Sequence, residues 1–262
     1  MLDWSDGNYA LTAASLAPAT DQVLDVAAVS AGQSVLDVAC GTGNAALAAA
    51  RRGATATGVD PAIGLLQIAR SRAAKDDLAA EFLAGDASAL PVPEASFDVC
   101  VSVFGVIFAP DAQRAICEML RATKPGGVIA LSSWLPGGAV DRAAKLLREA
   151  ITAAMPPTAA VEDGPPPPQW QDPDWISSLL ARCGARDVEL LEFDLRFAAV
   201  SPEAWFGEQE EHHPVWRFGR RVLDDDAWAD LRRQSLDVLH EVNEDSEAFA
   251  ATSRYVVARA VR

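Results

Sequence analysis

Apolar positions along the chain change their period several times, and those changes divide it. Residues 9–16 and 21–29 repeat apolar side chains at helical spacing, with Asp21 placed to help an N-terminus, so two short helices are expected before the first strand. From residue 34 the rhythm becomes regular: a β-prone run at 34–39, a helix at 44–52, a strand at 56–60, a helix at 63–74 and a strand at 81–85. This βαβαβ order, closed by right-handed crossovers, predicts a parallel sheet buried on both faces. A strand at 97–103, a helix at 112–123, a turn at Lys124-Pro-Gly-Gly and a strand at 128–134 extend it.

After Trp134 the rhythm breaks. Gly137-Gly138 opens a helical stretch to Met155, and Pro156-Pro157 with the four prolines at 165–168 form a stiff, extended spacer. A helix at 175–182 ends at Gly184, and 188–197 alternates as a strand. A helical insertion begins at Ser201, is expected to break at Pro214 and Gly219, and ends in a helix at 224–242. A final segment at 254–261 reads as an edge or hairpin strand. The expected organisation is α/β: a helical lid at 1–33, then a binding domain at 34–262 with insertions at about 135–169 and 200–246. The insertions are expected to pack together as a cap over the carboxyl edge of the sheet, where doubly wound folds bind ligands.

Composition narrows the partners more than the fold. The chain has 262 residues, 50% of them hydrophobic and 23% charged, which is ordinary for a globular protein. Its net charge of −15 lacks the basic footprint that nucleic acid or an anionic membrane surface requires, so a small-molecule substrate is expected instead. Oligomeric state is not readable. Cys40, Cys100, Cys117 and Cys183 are widely spaced with no Cys-x-x-Cys pair, which predicts inert core thiols in a reduced, cytoplasmic protein. The first residues carry no basic start and apolar core of a signal peptide, and no apolar run reaches the roughly 18 residues of a membrane span.

The chemistry gathers at Ser34-Val-Leu-Asp-Val-Ala-Cys-Gly-Thr-Gly. Gly41 and Gly43 let the backbone turn sharply and approach a ligand, and the helix that follows points its free N–H groups into the turn. Gly41-x-Gly43-x-x-Ala46, with Asp60 at a distance suited to a ribose diol, also satisfies a dinucleotide fingerprint. Three features favour another adenosine cofactor. Asp37, inside the strand, would repel a diphosphate and suits an ammonium or sulfonium; no Arg or Lys lies in 39–44; and Gly85-Asp86-Ala87 places a third acid at the next strand end.

These segments, with Gly58-Val-Asp-Pro, Leu90-Pro-Val-Pro-Glu-Ala-Ser-Phe-Asp, Val103-Phe-Gly-Val-Ile-Phe-Ala-Pro-Asp and Lys124-Pro-Gly-Gly, resemble the successive motifs of class I S-adenosylmethionine-dependent methyltransferases, close to the ubiquinone/menaquinone-biosynthesis-type branch. The resemblance covers 35–134 in order and spacing. It implies the Rossmann-like fold of that class: a seven-stranded, mostly parallel sheet with the last strand antiparallel and a helical cap. It implies S-adenosylmethionine as cofactor, with Ala39, Cys40, Gly41 and Gly43 around its methionine portion and Asp37 near its amino group. Asp60 would accept both ribose hydroxyls, Pro61 would touch adenine, Asp86 would accept from the adenine amine with Ala87 behind the ring, and Val103 and Phe104 would lie beside the methyl group. Ala39 departs from the glycine that many members carry. The implied reaction is methyl transfer to the oxygen, nitrogen or carbon of a small organic acceptor, possible forms including aromatic or natural-product-like ones. A non-methylating use of the cofactor, such as cyclisation, and an NAD-dependent oxidoreductase are the alternatives.

A general base is needed only if the acceptor arrives protonated. The candidates are His212 and His213, since His240 falls on a surface helix. A metal site is not expected, because no third ligand accompanies the adjacent pair. Trp4, Tyr9, Phe108, Trp134, Trp205 and Trp216 could line an apolar acceptor pocket or form the core of the cap, with Trp4 and Tyr9 the foremost lid residues.

Overall fold

The computed structural model describes residues 4–155 and 167–262. Pro156, Pro157 and half of the 165–168 proline run lie outside the described residues. Two helices come first, α1 (Tyr9–Ser15) and α2 (Ala17–Val26), with Pro18 in the first turn of α2, where a missing N–H leaves no bond unmade. The alternating part follows as β1 (Ser34–Val38), α3 (Asn44–Arg51), β2 (Thr55–Asp60), α4 (Ile63–Lys75), β3 (Ala80–Ala84), β4 (Phe97–Val103), α5 (Ala112–Ala122) and β5 (Thr123–Trp134). Then come α6 (Ala139–Ala154), α7 (Pro173–Arg182), β6 (Arg186–Ala199), α8 (Pro202–His212), α9 (Pro214–Val222), α10 (Asp225–Glu241) and β7 (Phe249–Val261).

The strands form one seven-stranded sheet in the order β3-β2-β1-β4-β5-β7-β6. The five strands from β3 to β5 are parallel, with Asp37 opposite Gly58 on one side and Val101 on the other. β7 runs antiparallel to β5: Gly126 donates to Arg262 O while Leu135 donates to Arg254 O, so numbering rises along one strand as it falls along the other. This is the Rossmann-like class I methyltransferase fold. Strand order reverses between β1 and β4, so their carboxyl ends flank the switch point at which such sheets bind ligands.

Three local expectations change. Lys124-Pro-Gly-Gly is a bulge inside β5 and not a turn before it: Phe97 pairs with Thr123 but Val99 pairs with Val128, so the extra residues are looped out of the ladder. The C-terminal strand lies inside the sheet between β5 and β6, not at an edge, in keeping with a strand buried through Val256, Val257 and Ala258. Gly219 does not interrupt α9. It admits Leu147 of α6, whose Cδ1 would stand 2.5 Å from any Cβ added there.

Cys117 on α5 and Cys183 after α7 form a disulfide with Cα atoms 5.0 Å apart, so the reading of four inert thiols is corrected, and with it the redox argument for a cytoplasmic protein. The pair is 66 residues apart in sequence and is brought together by packing of α5 against α7, which no local spacing reveals. Cys40 and Cys100 are free and buried.

By contact density the chain forms two compact units. One gathers Met1–Ser15, Trp134–Pro167 and Asp194–Arg254; the other gathers Leu16–Ser133, Pro168–Phe193 and Tyr255–Arg262. The boundary near the N-terminus thus falls between α1 and α2, so α2 belongs to the unit that contains the parallel strands. That unit is cored by the buried faces of β1, β2 and β4 with α2, α3 and α5. The helical unit is built on α6, α8, α9 and α10, whose core is aromatic: Phe206 meets Trp216 edge-on at 4.9 Å, and Trp205 packs on Phe197 and Phe249. Among the described residues no helix is long and apolar enough to cross a membrane.

Candidate cofactor site

The loop from β1 to α3 turns through left-handed backbone at Ala39 (φ 56°), Gly41 (φ 53°) and Gly43 (φ 82°). For Gly43 the requirement is twofold, since a Cβ would also stand 2.8 Å from the Phe82 ring. Ala39 tolerates its conformation at a steric cost of about 1 kcal/mol that glycine would not incur. The carboxyl end of β4 comes against this loop so closely that a Cβ on Gly105 would lie 2.6 Å from Ala39 O. Ser102 ties the two together, donating to Val38 O at 2.7 Å and accepting from the Val106 N–H.

Two carboxylates stand behind the loop. Asp37 is 2% exposed and accepts from the Ala46 N–H at 2.9 Å, in the first turn of α3. Asp60, 6% exposed at the end of β2, accepts from the Gly41 N–H with one oxygen and from the Ala62 N–H with the other, each at 2.8 Å. Their partners are thus backbone N–H groups at the openings of α3 and α4. Burial pushes Asp37 up to about 7 against the pull of the Ala46 N–H, and the neighbouring Asp60 charge raises it further. Burial likewise raises Asp60, against the pull of its two N–H donors. Each carboxylate oxygen keeps a second lone-pair direction for a ligand donor. Cys40 is buried beside both acids; loss of water raises its thiol well above the usual range, so it is a spacer and not a nucleophile.

The other positions singled out in the sequence divide by unit. Asp86 is exposed just after β3, in a turn where it accepts from the Ser88 N–H at 2.7 Å; Pro61 is exposed and Ala87 half-buried. Gly85 before it is needed, because a Cβ would lie 2.5 Å from Pro91. Phe104 has left-handed backbone (φ 53°), its N–H held by Ser132 Oγ, and its buried ring meets Tyr255 edge-on at 5.5 Å. Phe108 is exposed in a short 3-10 turn, 106–108.

In the helical unit, Trp205 and Trp216 are buried in its aromatic core, and Trp134 packs on Phe197. Trp4 and Tyr9 lie against His213. His212 is half-buried near Glu211, and His240 pairs with Glu203 at 2.8 Å on the surface.

Arg72 is the neighbour of the glycine loop that local reading misses. From the last turn of α4 its guanidinium reaches Thr42 O at 2.8 Å, Thr42 Oγ1 at 3.2 Å and Asn44 Oδ1 at 2.8 Å. A cation does therefore stand at the glycine loop, although none lies within 39–44, and its N–H groups brace the loop. Its signal was the spacing of Arg70 and Arg72 in the second half of α4; Arg70 donates to Phe82 O in the same way.

Residues 35–127 match the family described as methyltransferase domain. An uncharacterised protein of Mycobacterium tuberculosis is 39% identical over 160 residues, which is 60% of this chain and 58% of that protein, so the match spans less than two thirds of the relative. A demethylmenaquinone methyltransferase of Paenarthrobacter aurescens is 29% identical over 209 residues, 76% of this chain and 81% of that protein. Among solved structures, the YcgJ protein of Bacillus subtilis superimposes with a TM-score of 0.62 at 16% identity, over 94% of this chain and 98% of that one, a likeness of fold.

Proposed function

We propose that the protein transfers a methyl group from S-adenosylmethionine to a small organic acceptor. The observation that carries this reading is the pair Asp37 and Asp60: two buried carboxylates at a glycine loop whose hydrogen-bond partners among the described residues are backbone N–H groups. A diphosphate beside them would be repelled, whereas a ligand with an ammonium, a sulfonium and a ribose diol matches both their charge and their free lone pairs. Gly43 and Gly58 hold the loop and the neighbouring strand in this arrangement, since side chains there would run into Phe82.

When bound, the cofactor supplies a methyl group on a sulfonium, which is itself a good leaving group. The protein's part is then to hold the acceptor in line and exclude water, an effect worth up to about 7–11 kcal/mol in favourable cases. The strongly negative charge supports a small molecule over a nucleic acid as acceptor, and the demethylmenaquinone methyltransferase relative supports an acceptor of the demethylmenaquinone kind. Calorimetry tests the reading: S-adenosylhomocysteine is expected to bind at about micromolar concentration and NAD not at all, with S-adenosylhomocysteine released on incubation with S-adenosylmethionine and a phenol panel. Binding of NAD without S-adenosylhomocysteine would overturn it.

A further inference from the structure

The outward face of α4 carries a charge pattern opposite to that of the chain as a whole. Leu65, Leu66, Ala69 and Ala73 are buried beneath it, and at the complementary helical spacing Gly64, Gln67, Ile68, Ser71, Arg72 and Lys75 line an open cavity of about 360 Å³. All of these residues lie within the unit that holds the parallel strands. From Ile63 to Lys75 the helix has three cations and no acid. Ile68, 38% exposed, adds an apolar patch beside the charges.

Arg72 is held in place at this cavity by the glycine loop. Its bonds to Thr42 O, Thr42 Oγ1 and Asn44 Oδ1 all leave from Nη1. Nε–H and Nη2–H, on another edge of the planar group, have no acceptor among the described residues, and both are reached by solvent. Two N–H groups on one edge are the fork that takes a carboxylate through paired hydrogen bonds. The neighbouring carboxylate, Asp76, is held instead by Arg51 at 2.6 Å. Burial lowers Arg72 from the ordinary arginine range, and the Arg51 charge lowers it further against the pull of Asp76, so the guanidinium is short of negative charge. Lys75, on the same face, has no hydrogen-bond or ion-pair partner among the described residues.

We propose that this cavity binds a small organic carboxylate, whose two oxygens accept from Arg72 Nε–H and Nη2–H, with Lys75 Nζ beside them and the apolar body over Ile68. The fork is fixed only while Nη1 keeps Arg72 on the loop, because release of the loop frees the side chain to other rotamers. The bound carboxylate therefore favours the braced loop, and by reciprocity a ligand that needs the braced loop favours the carboxylate. This makes the cavity an effector site for the glycine loop, independent of the methyl-transfer reading. The chain's net charge of −15 does not exclude an anion here, since at physiological ionic strength charges beyond roughly 8 Å are largely screened. It does favour a monoanion over a phosphate dianion, which meets more of the remaining repulsion.

Benzoate and its neutral isostere benzamide test the site on the full-length protein. Benzoate is expected to bind with a dissociation constant of about 1 mM, phenyl phosphate more weakly and benzamide not at all. In nitrogen-15 spectra benzoate should move the Arg72 Nε–H and the Gln67 and Ser71 amides. Hydrogen exchange at the Gly43 amide, which donates to Cys40 O at 2.8 Å, should slow about threefold at saturation. Lys75→Gln changes an exposed side chain, so it should fold as the parent does and bind benzoate about threefold more weakly. Arg72→Lys keeps a cation without the fork and should weaken benzoate about tenfold; if that variant does not fold, Lys75→Gln and the spectra decide. Benzamide binding as tightly as benzoate, unmoved α4 resonances, tighter binding of phenyl phosphate, or undiminished binding by Lys75→Gln would each overturn the site. Unchanged Gly43 exchange would overturn its coupling to the loop.

Discussion

Asp6 and Asp37 are both carboxylates that position a segment of chain, and they end in opposite electrostatic states. In the helical unit the Arg221 guanidinium, with Arg217 beside it, holds Asp6 below the usual carboxylate range despite partial burial. In the parallel-strand unit the acids behind the glycine loop have N–H partners only; burial outweighs these and raises both Asp37 and Asp60. A guanidinium cancels a carboxylate's charge, whereas an N–H dipole orients it and leaves most of the desolvation cost standing. The first arrangement is complete as a structural clamp. The second leaves its carboxylates without a cationic partner among the described residues of the chain, which is why the loop, and not the clamp, is the place to look for a charged cofactor.

Removing the charge at Asp37 should have the largest effect. Its folded pKa of about 7 lies above the ordinary aspartate value of 3.8, so the folded state holds the extra proton between those limits. The contribution of Asp37 to stability should therefore be full below about pH 4, fall by up to about 1.4 kcal/mol per pH unit toward pH 7, and level off above it. Asp37→Asn keeps an oxygen for the Ala46 N–H and should flatten that slope while weakening S-adenosylhomocysteine; denaturant unfolding from pH 5 to 8 reads it. Parallel slopes in parent and variant would erase the contrast with Asp6.

Next in size is the exchange of Asp60 against Asp6. Asp60→Ala should weaken S-adenosylhomocysteine by about 1–3 kcal/mol, because the Gly41 and Ala62 N–H groups lose their buried acceptor. Asp6→Ala should leave cofactor affinity within about twofold and lower the melting temperature instead, because Arg217 and Arg221 lose their shared carboxylate. Equal losses of cofactor in calorimetry would erase the contrast between the two acids. The smallest effect concerns backbone strain alone: Ala39→Gly should raise stability by about 0.5 kcal/mol, relief of left-handed strain being partly offset by unfolded-chain entropy, as a thermal melt would show.

The parts of the molecule that were legible in the sequence are those written in consecutive residues. The β1 run, Gly41, Gly43 and the acids at the ends of β1 and β2 lie close together along the chain, so apolar period and turn chemistry locate them. What escaped is made across distance. Arg72 reaches Thr42 from 30 positions away, and Asp6 reaches Arg217 across 211. The bulge at Lys124-Pro-Gly-Gly looked like a turn because proline and glycine serve both, and only the pairing of Thr123 with Phe97 distinguishes them. His213 was visible as a titratable ring, but its service as the cap of α9, accepting from the Val215 N–H at Nδ1, is a property of the α8–α9 junction and not of the His-His-Pro sequence.

The Cys117–Cys183 bond makes the chain a closed ring with two tails. A single backbone cut anywhere between those residues cannot separate the molecule into pieces: the products stay joined and migrate as one species until a reductant is added. The same closure means that new chain ends can be opened within the ring, with the old ones linked, while β4 and β7 stay on one covalent thread. A nicked or permuted form of this protein is thus held together by a sulfur bond as well as by its packing.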